Sequence, residues 1–257
     1  HIIQDCAHSF AADWKGRPVQ KEGVAALFGL NISKMITSIF GGMVTTDNEG
    51  LADKLRFLRQ SEFSMPGISK SLKRRCYLLA AGIALWPPVY TLVSCAERRG
   101  ILNHFVKYYD ESNIDMPSDF QEAPCMIEGR TGEIQTERYH DIIAHRRRIA
   151  SVYDKTLAGA FCILKPPLIE GATYSHYVPR VNNRNTVLWF ALKKGIHLGG
   201  LIEYCIPSMW SYRNRRGANG YFPVAEKMPK ETINLPVWVS EDMARQISFT
   251  IKKIAAQ

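Results

Sequence analysis

The punctuation of the N-terminal quarter restricts the fold of this chain more than any other feature. Residues 1–5 read as a short buried strand ending on an acid, and residues 24–30 form a second apolar run. Phe40-Gly41-Gly42-Met43-Val44-Thr45-Thr46 is a glycine turn entering a strand of β-branched residues. Asp47-Asn48 then caps a helix over 49–59, in which Leu51, Leu55 and Leu58 recur on one face with charges between them. Short strands alternating with a helix predict an α/β layer structure. The remainder reads as a second, α+β unit. A long helix is expected over 131–157, with Arg146-Arg147-Arg148 on its outer side and Lys165-Pro166-Pro167 ending the unit. A strand over 175–181, a helix over 185–194 closed by Gly195, a strand over 196–202 and a final helix over 240–255 follow.

Composition narrows the function classes. The 257 residues are 46% hydrophobic and 22% charged, which excludes a disordered or fibrous chain. A formal charge of +9 favours anionic partners: nucleic acid, anionic lipid or a phosphorylated small molecule. Six cysteines stand singly, without a CxxC pair, which reads as free thiols in a reducing, cytoplasmic setting and gives no metal site. Residues 77–96 carry no charge and have the length of a membrane span, but Pro87-Pro88 breaks the helix in the middle. The better reading is a helix–turn–helix insertion that packs on the protein or rests against a membrane surface.

Two residues suggest chemistry. Asp5 closes a strand, and Lys34 lies in the segment Gly29-Leu30-Asn31-Ile32-Ser33-Lys34 before the glycine turn. An acid at a strand end and a lysine in a connecting loop match the needs of pyridoxal phosphate (PLP): the lysine bonds covalently to the aldehyde, and the carboxylate keeps the pyridine nitrogen protonated. Spacing alone leaves a solvated Lys34 and a capping Asp5 as the blander reading.

The wording around these residues goes further. Ile3-Gln4-Asp5-Cys6-Ala7-His8-Ser9, then Gly29 to Lys34, then Gly41-Gly42-Met43-Val44-Thr45-Thr46-Asp47 resembles the DegT/StrS family of PLP-dependent sugar aminotransferases, whose pattern is roughly D-x-A-[HQ], S-F-[HN]-x-S-K and G-E-G-G-x-V-x-T-x-D. Met116-Pro117-Ser118-Asp119-Phe120-Gln121-Glu122-Ala123 is similar to its M-S-x-x-Q-A-A segment, and residues 146–153 to its R-R-x-x-A-x-x-Y helix. Tyr174-Ser175-His176-Tyr177, Lys194-Gly195-Ile196 and Phe222-Pro223-Val224-Ala225-Glu226 with Leu235-Pro236 match its small domain.

The resemblance implies an aspartate-aminotransferase-like fold (fold type I), with 1–60 as the trailing part of the large PLP domain, 61–115 as an insertion or interdomain helical segment and 116–257 as the small α+β domain. It makes Lys34 the cofactor lysine and proton shuttle, and Asp5 the partner of the pyridinium nitrogen. His8 lies near the ring, and Asn31 and Ser33 line the pocket. Asn113 reaches the phosphate of a neighbouring subunit's cofactor in a homodimer, and His176 faces the substrate. Arg213 and Arg215, beside Trp210 and Tyr212, are placed to hold a nucleotide diphosphate; no nucleic-acid module accompanies them. The implied reaction moves an amino group from glutamate to a keto group of a nucleotide-linked sugar, for polysaccharide or amino-sugar synthesis. Gly29 replaces the family's usual serine, Phe40 its Glu and Asp115 a frequent Arg, and Glu122-Ala123-Pro124 interrupts the Ala-Ala. The family's first half, with its phosphate loop, is missing, so the chain is expected to be a C-terminal portion. Two rivals follow: a PLP-dependent sugar dehydratase, against which Lys34 argues because those members carry histidine there, and a non-catalytic homologue that kept the fold.

Overall fold

The computed structural model describes residues 1–86, 89–90, 92–93, 96, 101, 119–212 and 220–256. Asn113, Arg213 and Arg215 therefore lie outside the described residues, as do residues 87, 88, 91, 94 and 95 of the segment 77–96. The first unit is built on a three-stranded sheet in the order β1 (Ile3–Asp5), β4 (Ala25–Gly29), β5 (Gly42–Thr45). β1 and β4 are parallel, with Asp5 opposite Leu27; β4 and β5 are antiparallel, with Gly29 opposite Gly42. A small hairpin, β2 (Asp13–Trp14) and β3 (Arg17–Pro18), fills the crossover between the parallel strands. One face of the sheet is packed: Cys6, Ala26 and Phe28 are buried with Phe10, Val19 and Met43 against them. On the other face Leu27 and Val44 are exposed. The expectation of a buried first strand is overturned, since Ile3 is 60% exposed. β1 is an edge strand paired only with β4, and among the described residues its outer face carries no second layer.

Helix α1 (Glu49–Glu62) starts where the sequence indicates: the Asn48 side chain accepts from the Leu51 amide at 2.9 Å. Helix α2 (Ile68–Ala84) begins well before Tyr77, so Lys73-Arg74-Arg75 lie inside it rather than flanking an uncharged segment. Among the described residues no helix is long and apolar enough to cross a membrane.

The predicted helix over 131–157 is instead two, α3 (Met126–Glu137) and α4 (Tyr139–Thr156). Arg138, at φ −99° and ψ 1°, ends one and opens the other. The break sets Tyr139 edge-on to Phe10, 5.7 Å between ring centroids, which fastens α4 to the first unit. α4 then packs against the C-terminal helix α7 (Glu241–Ala255), itself capped by Ser240 as predicted. Ile149, Tyr153, Leu157, Ile233, Leu235 and Ile251 form the centre of this core, together with α5 (Arg184–Lys193). Helix α6 (Pro223–Glu231), not anticipated as an element, follows a proline at its start.

The two strands expected over 175–181 and 196–202 are mostly replaced by single bridges, Tyr177 with Leu235 and Gly199 with Asn234. Among the described residues of this unit, regular pairing survives only between β6 (Ile163–Leu164) and β7 (Arg180–Val181). Pro179 lacks an amide hydrogen, and Tyr174 (φ 51°) and Leu201 (φ 35°) have left-handed backbones that cannot continue a ladder.

Candidate active site

Because β1 and β4 run parallel, their carboxyl ends emerge at the same edge of the sheet, the usual position for a ligand in α/β proteins. Asp5 closes β1 and accepts from the Ala7 amide at 3.0 Å, turning the chain so that His8 follows directly. Lys34 comes from the loop after β4. An Asx turn shapes that loop: Asn31 Oδ1 accepts from the Ser33 amide at 3.2 Å and the Ser33 hydroxyl at 2.7 Å, and the Lys34 amide donates to the Asn31 carbonyl. Asn31 and Ser33 thus organise the turn that carries Lys34, with their polar groups already used on each other.

The amine of Lys34 lies 2.9 Å from His8 Nε2. Burial lowers the His8 pKa, the Lys34 charge lowers it further, and Asp5 opposes both. Asp5 and Lys34 therefore act on the same imidazole. Gly29 makes room for this: a Cβ there would stand 3.1 Å from Lys34 Cε and 3.5 Å from the Ala7 Cβ.

The second unit closes the cluster. His176 packs against His8 with ring centroids 5.2 Å apart, and its Nδ1 lies 3.2 Å from the Ser175 hydroxyl. Burial first, then the nearby His8, Arg146 and Lys34, lower its pKa to about 4, so the ring is neutral at physiological pH. Of the residues singled out in the sequence, Asp5, His8, Lys34 and His176 come together.

The run Arg146-Arg147-Arg148 reads as an outer helix face; Arg147 and Arg148 are exposed, but Arg146 is half-buried, and there the structure corrects the reading. Arg146 donates to the Tyr174 and Ser175 carbonyls at 3.3 and 2.8 Å, and Arg147 to the Gly171 and Ala172 carbonyls at 3.1 and 2.9 Å. Together they hold the loop that delivers His176. The signal was present: Ile143, Arg146, Ile149, Ala150 and Tyr153 follow one another at helical spacing, placing Arg146 on the buried face. The charge run hid it.

The site is thus an α/β arrangement in which a lysine loop leaves one of two parallel strands and an acid closes the other. The family model described as "DegT/DnrJ/EryC1/StrS aminotransferase family" matches residues 1–82 and 126–249, and the chain belongs to that family. An uncharacterized protein of Methanocaldococcus jannaschii, MJ1066, is 24% identical over 268 residues, covering 100% of this chain and 60% of its own length. An L-glutamine:scyllo-inosose aminotransferase of Streptomyces griseus is 40% identical over 58 residues, 23% of this chain and 14% of that protein. Among solved structures, the putative sugar aminotransferase Spr1654 from Streptococcus pneumoniae in its PLP form superposes with a TM-score of 0.66 at 19% identity, over 99% of this chain and 57% of that one. The chain thus spans a little over half the length of the full-length relatives it matches.

Proposed function

We propose that the whole protein is a PLP-dependent aminotransferase that moves an amino group from glutamate to a keto group of a nucleotide-linked sugar. The observation that carries this reading is the Lys34–His8 contact of 2.9 Å beside Asp5, at the shared carboxyl edge of two parallel strands. Family membership and relatives named as aminotransferases, one of them solved in a PLP form, support it.

The residues present suit the cofactor. Bound PLP supplies an electron sink that stabilises negative charge at the carbon exchanging the amino group. Lys34 would be the residue that holds it covalently, and its amine would be the base for the proton at that carbon. Asp5 would keep a proton on its ring nitrogen. His8, kept neutral by burial and by Lys34, accepts a hydrogen bond from the lysine amine through Nε2 and orients it. His176, neutral and held by the Arg146-bound loop, faces the substrate side. We assign 1–60 to the large domain, 61–115 to an insertion or interdomain helical segment and 116–257 to the small domain, and place the enzyme in the cytoplasm as a homodimer.

The full-length protein, mixed with PLP, is expected to develop the absorbance of a lysine-bound pyridoxal, and Lys34→Ala to abolish it. A mutant spectrum matching the parent's would reject the assignment of Lys34. A full-length protein that binds no PLP at all would favour a non-catalytic homologue.

A further inference from the structure

The loop carrying Lys34 is closed at its base. The Ser38 amide donates to the Leu30 carbonyl at 2.8 Å, and the Leu30 amide to the Gly41 carbonyl at 2.9 Å. Thr37 ties it internally, its hydroxyl donating to the Leu30 carbonyl and accepting from the Ile39 amide. The closure places Ile39, a β-branched residue only 1% exposed, in the left-handed region at φ 75°, with Gly41 at φ 102°. A bulky residue in that region persists only when its surroundings over-determine it.

Two helices supply the surroundings. Gly132 on α3 passes so near that a Cβ there would stand 3.2 Å from the Ser38 Cβ. On the other side, the Arg74 guanidinium of α2 lies over the Phe40 ring, 4.2 Å from its centroid, and Tyr77 packs against the same ring at 5.1 Å. Arg74 is itself held from behind. Its Nε donates to Glu128 Oε1 at 2.8 Å, while Glu128 Oε2 accepts from the Cys125 amide at 2.8 Å. Glu128 is 2% exposed, so Arg74 has a fixed and buried counter-charge. A second latch, Lys70 on the Ala123 carbonyl at 3.0 Å and the Glu122 carboxylate at 3.3 Å, keeps α2 against the segment before α3.

The geometry points to Arg74 as a positioning residue for Lys34: clamped between buried Glu128 and the Phe40 ring, it holds the strained 30–41 loop in the conformation that sets the lysine against His8. Phe40 is the matching half of the clamp. Arginine suits the place, since its planar cation can stack on a ring and donate in-plane to a carboxylate at once, which a lysine cannot do. Helix α2 thereby acts on the active-site loop from outside. That consequence rests on reading Lys34 as the cofactor lysine; the clamp itself does not.

The test uses full-length protein carrying Arg74→Lys, Phe40→Leu, both together, and Gly132→Ala as an independent disturbance from the other helix. Amide exchange at Ser38 and Ile39 is expected to accelerate about tenfold or more in each single variant, while the amides of Ile247 and Ile251 in α7 keep the parent rate. The double variant is expected to resemble the worse single one, because both remove the same contact. In the presence of PLP, the pH midpoint of the lysine-bound chromophore should move by about half a unit or more, a change that loss of stability alone would not produce. Parent-like exchange at Ser38 and Ile39 in the folded Arg74 and Phe40 variants overturns the clamp. If the parent forms no chromophore, the reading of Lys34 fails, and the exchange rates still decide for or against the brace. Should Arg74→Lys not fold, Phe40→Leu and Gly132→Ala carry the same comparison.

Discussion

Lys34 and His8 meet with 2.9 Å between Nζ and Nε2, although 26 positions separate them. Each sits just beyond the carboxyl end of one of two parallel strands, so the sheet brings together what the chain keeps apart. With the amine protonated, the contact needs a neutral imidazole, because an ammonium group only donates and Nε2 must accept from it. Burial and the lysine charge both favour that form.

The histidine pair sets a pH dependence of stability. His176 has its pKa lowered from 6.5 to about 4, and His8 is lowered in the same direction. As pH falls below 6.5 the unfolded chain takes up protons that the folded chain does not. The stabilisation present at neutral pH is therefore lost progressively down to about pH 4. His176 alone should contribute about 2 kcal/mol, after allowance for its partly open ring. Denaturation at pH 7 and pH 4 should show this loss, and His176→Gln should remove most of it. An NMR titration of His176 near 6.5 would contradict the prediction.

Arg146→Leu should free the carbonyls of Tyr174 and Ser175 and remove a cation from beside His176. Hydrogen bonds to charged groups typically contribute about 1.5–3 kcal/mol, so a loss of about 2 kcal/mol is expected in urea unfolding. The pKa of His176 should rise at the same time, which separates this effect from simple loosening.

Gly171→Ala should be costly for two reasons. Gly171 has φ 82°, and a Cβ there would run into the Asp13 carbonyl and side chain. The site is a joint between the units: the Asp13 amide donates to the Gly171 carbonyl at 3.1 Å, and Arg147 binds both residues. A destabilisation of about 2 kcal/mol or more is expected by thermal unfolding.

Within α7, Ile251 is fully buried while Phe249 is 61% exposed. Ile251→Ala should cost about 3 kcal/mol through a cavity between α4 and α7, whereas Phe249→Ala should cost under about 1 kcal/mol. Equal effects would mean that the α4–α7 core is packed differently.

Much of the site could be read from local wording. Asp5, His8 and Lys34 fall in short motifs, and the caps Asn48 and Ser240 announce their helices through side chains that bond within the next turn. The second unit was harder. An apolar alternation such as 175–181 cannot reveal that regular pairing is confined to Arg180–Val181, with Tyr177 making a single bridge ahead of Pro179. Nor does helical periodicity over 131–157 show the break at Arg138, beyond which Tyr139 packs on Phe10 far away in the chain. Charge misled most: Arg146 resembles its solvated neighbours until the 171–175 carbonyls are placed against it.

What the sequence determined by itself was therefore the local chemistry: which residue types stand at the strand ends, where helices begin, and which family the blocks belong to. Those depend on side-chain properties and on spacings of a few residues. The tertiary structure alone decided the partnerships, namely Lys34 with His8, His176 across from them, Arg146 under its loop, and Arg74 between Phe40 and Glu128. Each joins residues far apart in the chain or on separate elements, and such contacts arise only when sheet register and helix packing bring distant backbones within reach.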